Sequence, residues 1–410
     1  MAVIALAALY ALLLGDWFHR AWVALGLAAA LVLSGTLSPA AAFGSIDWNT
    51  IFLLAGMMIC VACLGDAGLF SYLGRRAKHY ANGKPWRLLW IFYVLTAVIS
   101  AFLDNVTTIL LLAPILIEAA EEMDLDPIPL LLVQVIASNL GGVATLVGDP
   151  PNILIGTAAH LSFMQFAVNL GPIAVLMLVF LALLLPGLVR LTPRAGGSQR
   201  LRGPSAAIQI SPKLKGLLAI IGLMLAAFVL QRQIGVAVGY IALLGALAST
   251  LYAGGLRSRW YRHIDYGTLG FFVGVFVLVG ALESSGFVHY VVQWLSRPGL
   301  GPWLPLLLFL GTAVFSALLD NVPLVAALIP VLERLAGSGS HFGVELWIAI
   351  GLGAAVGGNA TVIGASANVV AQGLSIEHGY ALSFTRFARF GMKAAGLTAL
   401  VGAAYLTVRF

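Results

Sequence analysis

Long runs of apolar residues dominate the chain. Met1 to Leu14, Trp22 to Leu37, Ile51 to Leu64 and Val168 to Leu188 carry hydrophobic side chains nearly all round the helix. A helix in a soluble protein keeps one polar face, whereas a helix surrounded by lipid needs none. The pattern breaks at two kinds of place. Asp104-Asn105 and Asp320-Asn321 interrupt "AFLDNVTTILLLAPI" (Ala101 to Ile115) and "ALLDNVPLVAALIPV" (Ala317 to Val331). Glycine-led stretches run from Gly141-Gly142 to Asn152 and from Gly357-Gly358 to Asn368.

These interruptions repeat in order. "IDWNTIFLLAGMMICVACLGDAGLF" from Ile46 matches "IDYGTLGFFVGVFVLVGALESSGFV" from Ile264 at an offset of 218, and the two Asp-Asn stretches and the two glycine-led stretches match at 216. Three matches in one order at nearly one offset argue for an internal duplication. The first copy predicts crossings at 2–14, 21–37 and 47–73, a re-entrant hairpin at 88–102 and 106–118, a broken crossing at 128–140 and 152–160, and a crossing at 166–189. The second predicts 216–231, 234–253 and 265–289, a hairpin at 303–318 and 322–335, a broken crossing at 344–357 and 363–372, and a last helix at 384–408. The hairpin arms are shorter than the roughly 20 residues a comfortable span needs, which favours re-entry over two full crossings.

Five crossings per copy is an odd number, so the copies have opposite topology. The predicted fold class is an all-α polytopic membrane protein, an inverted-repeat secondary transporter with two re-entrant hairpins and two broken transmembrane helices. It divides into a first unit at 1–189, a basic cytoplasmic linker at 190–215 and a second unit at 216–410.

Composition agrees: 61% of residues are hydrophobic and 9% charged, against about 25% charged in ordinary soluble domains. The formal net charge of +6 comes from loops between apolar segments, which fits membrane topology better than nucleic-acid binding. Arg75, Arg76, Lys78, Lys84 and Arg87 form one basic loop, Arg190, Arg194, Arg200, Arg202, Lys213 and Lys215 a second, and Arg257, Arg259 and Arg262 a third. The positive-inside rule makes these loops cytoplasmic and leaves both termini outside, in the inner membrane of a bacterial or archaeal cell. The first segment reads as a retained transmembrane helix rather than a cleaved leader. Acids at Glu118, Glu121, Glu122, Asp124 and Asp126 bear little on orientation.

Backbone breaks are tolerated at membrane depth where they line a protein or water-filled cavity, so the four breaks mark a candidate solute site. Asn105, Thr107, Thr108, Thr145, Asn152, Asn321, Asn359, Thr361 and Asn368 are its candidate solute-binding residues. Asp104, Asp149 and Asp320 are candidate proton carriers; capping of the following helix is the competing role for each. Asp149 has no acidic counterpart at Ala365, which makes it the asymmetric coupling candidate. Asp47 and Asp265 read as helix caps, and His289, His341 and His378 as segment-edge residues. Cys60 and Cys63 are too few for a structural metal site and read as small core residues. No phosphate-binding loop and no nucleophile–base pair is evident, so the chain is read as a non-enzyme without a cofactor. A separate soluble ATPase partner could dock on the basic loops.

The stretches "SAFLDNVTTILLLAP" and "GDPPNILIG" resemble the ion transporter superfamily, in the branch of arsenite/antimonite efflux permeases, sodium/proton antiporters and the pigmentation P protein. The resemblance covers nearly all of the chain. It implies an elevator-like alternating-access transporter, often a homodimer, with site roles for Asp104, Asn105, Thr107, Thr108, Asp149 and Asn152 and their repeat counterparts Asp320, Asn321 and Asn368. The expected activity is proton-coupled efflux of arsenite or antimonite, small inorganic solutes that amides and hydroxyls can hold. The alternatives are sodium/proton antiport and, further off, sodium-coupled uptake of an organic anion, which is disfavoured by the lack of an evident intramembrane Arg or Lys near the motifs.

Overall fold

The structure is a computed structural model that describes residues 1–15, 18–192, 210–254, 264–296, 301–337 and 343–409. Among these residues the regular structure is helical. In the first repeat α1 (Ala2–Gly15), α2 (Arg20–Leu33), the short α3 (Pro39–Gly44) and α4 (Trp48–Asp66) lead to α5 (Leu69–Ala81). There follow α6 (Pro85–Ser100), α7 (Asn105–Glu122), α8 (Pro127–Gly142), α9 (Pro150–Ala158) and α10 (Phe163–Leu188). The second repeat begins with α11 (Pro212–Val229), α12 (Gln231–Ile234), α13 (Val238–Gly254), α14 (Tyr266–Ser284) and α15 (Phe287–Leu295). It ends with α16 (Leu304–Leu318), α17 (Asn321–Gly337), α18 (Val344–Gly358), α19 (Ser366–Glu377) and α20 (Phe384–Arg409).

Five helices among the described residues are long and apolar enough to cross a membrane: α4, α10, α11, α14 and α20. The hairpin pairs α6/α7 and α16/α17 turn at Asp104 and Asp320, and the broken crossings are α8/α9 and α18/α19. The repeats exchange partners. α4 of the first copy packs along α13 of the second, and α14 of the second packs along α2 of the first. The moieties carrying the breaks interlock likewise, with α19 on α7 and α17 on α9.

Two predicted crossings are shorter than expected. The segments 47–73 and 265–289 each divide into two helices, because Gly68 and Gly286 adopt positive φ angles of 86° and 76°. Left-handed backbone costs glycine nothing, and it ends α4 and α14 and starts α5 and α15 in new directions. The lack of a side chain in an otherwise apolar run hides this turn from the hydropathy pattern. α5 carries Arg75 and Arg76, with the Arg76 guanidinium between the Tyr72 and Tyr80 rings at 5.6 and 5.8 Å from their centroids. Lys78 pairs with Glu118 and Glu122 of α7 at 3.0 and 2.9 Å, which accounts for two of the acids in the 118–126 cluster. Most of the 190–215 linker, with Arg194, Arg200 and Arg202, lies outside the described residues, as do Arg257, Arg259, Arg262, Arg297 and His341.

Candidate functional site

The two breaks are built the same way. A methyl group placed on Gly141 would collide with the backbone of Ala97 in α6, and one on Gly357 with that of Ala313 in α16. The glycines therefore let each hairpin arm lie against its broken helix at backbone contact, the packing role that small residues take in membranes. Past the glycines the chain leaves the helix, and freed carbonyls need donors. Asn152 Nδ2 donates to the carbonyls of Gly142 and Thr145 at 2.8 and 2.9 Å. Asn368 Nδ2 does the same to Gly358 and Thr361 at 2.6 and 2.7 Å. The Thr145 hydroxyl donates to the Ala101 carbonyl at one hairpin turn, and the Thr361 hydroxyl to that of Ala317 at the other. Four predicted solute ligands thus spend donors on the chain itself, Asn152 and Asn368 closing the break and Thr145 and Thr361 tying it to the hairpin.

The hairpin aspartates act as caps. Asp104 Oδ1 accepts from the Thr107 backbone N–H at 2.9 Å and Asp320 Oδ1 from that of Val322 at 3.0 Å. Asp149 precedes α9 but makes no side-chain cap bond. Its carboxylate is 2% exposed; Oδ2 accepts from Asn321 Nδ2 of the opposite hairpin at 3.4 Å, while Oδ1 has no hydrogen-bond partner. Thr108 Oγ1 and Asn359 Nδ2 are also buried without partners. Thr107 lies beside them at the wall of a cavity of about 550 Å³, together with Asp104 and Pro150.

At the junction of the repeats stands a residue that the sequence reading missed. Asn139 Oδ1 accepts from Asn105 Nδ2 at 3.2 Å, and Asn139 Nδ2 donates to Asn359 Oδ1 and Asn368 Oδ1, each at 2.9 Å. The amide joins one hairpin tip to the broken helix of the other copy. Its repeat counterpart is Ala355, so comparison of the copies gave it no weight. Its signal was an amide in the apolar run "VQVIASNLGG" two residues before the glycine pair. Asn139 and Asp149 of α8/α9 are thus two polar residues of the first copy that correspond to alanines, Ala355 and Ala365, in the second.

A second missed residue corrects the expectation that no basic side chain approaches the motifs. Arg20, the first residue of α2, donates from Nη1 to Ser366 Oγ at the start of α19 (2.7 Å) and from Nη2 to Thr268 Oγ1 of α14 (2.9 Å). Its contact is 346 residues away in the chain, which no local pattern reveals. Cys60 and Cys63 lie in α4 beneath the packed helices; Cys60 is 3.9 Å from Ser249 Oγ and from Met224 Sδ, apart from the amide cluster. Among the described residues no cluster of His, Cys, Asp and Glu is suited to a metal ion.

The fold has counterparts elsewhere. The chain is similar in fold to the YdaH transporter of Alcanivorax borkumensis, described as having an unusual topology (TM-score 0.61, 16% identity, 92% of this chain and 87% of that one). It is similarly related to MtrF of Neisseria gonorrhoeae, described among antimetabolite efflux pumps (TM-score 0.63, 14% identity, 93% and 84% covered). In sequence it is 36% identical to an uncharacterized transporter of Mycobacterium tuberculosis, over 100% of this chain and 98% of that protein. It is 30% identical to the P protein of Mus musculus, over 99% of this chain and 60% of that protein. The family profile described as citrate transporter, CitMHS, matches residues 10–341 and 297–410. The chain is a membrane transporter that belongs to the citrate transporter family of the ion transporter superfamily.

Proposed function

We propose that the chain is a proton-coupled secondary transporter working by alternating access, with Asp149 as the group that takes up and releases the proton. The observation that carries this reading is the Asp149 carboxylate itself, buried at a helix break, held on one oxygen by Asn321 of the opposite repeat and unpartnered on the other. A charge held in a membrane interior without a basic partner is costly, so its protonation is coupled to what else occupies the site. Asp104 and Asp320, already engaged as caps, are secondary candidates for the same role.

The first solute reading is efflux of arsenite or antimonite. Thr108 Oγ1 and Asn359 Nδ2, buried without partners, are free to hydrogen-bond an uncharged hydroxylated solute. The thiols lie elsewhere, and a carrier must release its cargo, which soft thiolate ligation would oppose. A second reading, a small organic carboxylate, is favoured by Arg20, whose guanidinium reaches Ser366 at the start of α19, and by the description of the family. Sodium/proton antiport at the same carboxylates is the third. In this reading the units 1–189 and 216–410 face opposite ways across the inner membrane of a bacterial or archaeal cell, with both termini outside.

Purified protein in sealed vesicles separates these readings. Arsenite flux accompanied by opposite proton flux without sodium supports the first; flux of a tricarboxylate or dicarboxylate with protons or sodium replaces it with the second; and sodium-dependent proton flux without either solute leaves the third.

A further inference from the structure

We propose that Arg20 is a positioning residue: a one-sided clamp that ties the broken-helix moiety to the α2/α14 pair in the access state seen here and has no equivalent in the opposite state. The inference rests on the alternating-access reading but not on the identity of the solute.

The guanidinium feeds two relays. Ser366, which accepts from Arg20 Nη1, donates its own hydroxyl proton to Asp320 Oδ2 at 2.9 Å. Thr268, which accepts from Nη2, donates to Asp265 Oδ2 at 2.6 Å. One cation is thus linked through two hydroxyls to two carboxylates, one on α14 and one on the opposite hairpin tip. A cation at the first residue of a helix is opposed by the helix dipole, so α2 does not itself favour Arg20 there. The partners across the interface do. The Arg20 side chain also lies 5.7 Å from the centroid of Phe271 and, with Phe271 and Ser366, lines two cavities of about 550 and 660 Å³.

The internal duplication shows which parts of this device are copied. At the offset of 218, Asp265 and Thr268 correspond to Asp47 and Thr50, which make the same hydroxyl-to-carboxylate bond at the start of α4. Arg20 corresponds to Val238, and at the offset of 216 Ser366 corresponds to Pro150. The acid and hydroxyl at the helix start exist on both α4 and α14; the cation and the hydroxyl that meets it exist only at the α14 end.

The contacts themselves are displaced between the copies. At the α14 end the α2/α14 pair reaches Ser366, the first residue of its half-helix. At the α4 end, Asn49 Nδ2 reaches Thr157 Oγ1 at 3.4 Å, seven residues beyond Pro150. Seven residues of helix are about 10 Å. If the two copies exchange conformations, as the inverted repeat permits, the moiety slides by roughly that distance. Thr157 then leaves Asn49, Pro150 comes to Thr50 where no cation waits, and the Arg20–Ser366 bond is broken.

The test uses the full chain in vesicles with Cys60 and Cys63 replaced by serine and cysteines at 49 and 157, bridged by a short bis-thiosulfonate reagent. The cross-linking rate reports occupancy of the present state and needs no solute, so an incorrect solute assignment leaves it untouched. Arg20→Gln and Ser366→Ala are each expected to shift the equilibrium away from the present state by ~10-fold, the scale of one charge-assisted bond, and so to slow cross-linking by up to that factor. Arg20→Lys should fall between Arg20→Gln and the parent, as a point charge replaces a fork. Ser366→Ala leaves the cation and its α14 partner in place, so it tests the clamp even if Arg20→Gln folds poorly. Parent-like cross-linking in Ser366→Ala, or an Arg20→Lys rate no higher than Arg20→Gln, overturns the proposal.

Discussion

Replacing Asn139 by alanine tests whether the two repeats are joined by an amide cluster or merely by apolar packing. Alanine fits the position sterically, since the second copy carries Ala355 there. What is lost is three hydrogen bonds, to Asn105, Asn359 and Asn368, all of them buried. Each partner left without a mate in a buried site costs about 1–3 kcal/mol. The orphaned atoms are Asn105 Nδ2, Asn359 Oδ1 and Asn368 Oδ1, and the low end of that range for each gives about 3 kcal/mol for the set. Spread over a chain of 410 residues, that is a drop of roughly 3–4 °C in melting temperature. The assay is tryptophan-fluorescence melting of the purified protein in one detergent, alongside Leu140→Ala as a buried apolar control. A melting temperature for Asn139→Ala within 1 °C of the parent, by the roughly 1 °C resolution of such scans, with the control clearly lowered, refutes the cluster as a structural joint.

Other substitutions probe the same framework. Asp104→Asn should melt like the parent because asparagine caps as well as aspartate, whereas Asp104→Ala loses about 1 kcal/mol; equal melting of all three removes the cap. Gly357→Val forces a branched side chain into the Ala313 backbone and should abolish folded, monodisperse protein; normal yield would contradict the close approach. Serine at both Cys60 and Cys63 should leave solute flux unchanged within a factor of about two, whereas loss of flux would place thiols on the transport path.

The duplication, the hairpins and the breaks were legible because each leaves residues that an apolar helix does not tolerate without reason. Aspartate and asparagine at the hairpin turns and glycine pairs ahead of asparagine are of this kind. The turns at Gly68 and Gly286 were not legible, since a glycine in left-handed backbone and a glycine packed in a helix look alike in sequence. Within the site, reliance on repeat symmetry favoured residues with counterparts. Many of those, including Thr145, Asn152, Thr361 and Asn368, proved to bind the chain's own carbonyls. Asn139, paired with an alanine, and Arg20, which meets Ser366 from 346 residues away, became visible only when the fold brought distant segments together.

The central claim is that Asp149 carries the exchanged proton. Its most direct test is proton and solute flux by Asp149→Asn protein in vesicles, under an imposed proton gradient and under solute-for-solute exchange. The account predicts that asparagine, which keeps a side-chain oxygen available to Asn321 Nδ2, abolishes proton-driven flux while exchange continues. Proton-driven flux at the parent rate in Asp149→Asn would contradict it.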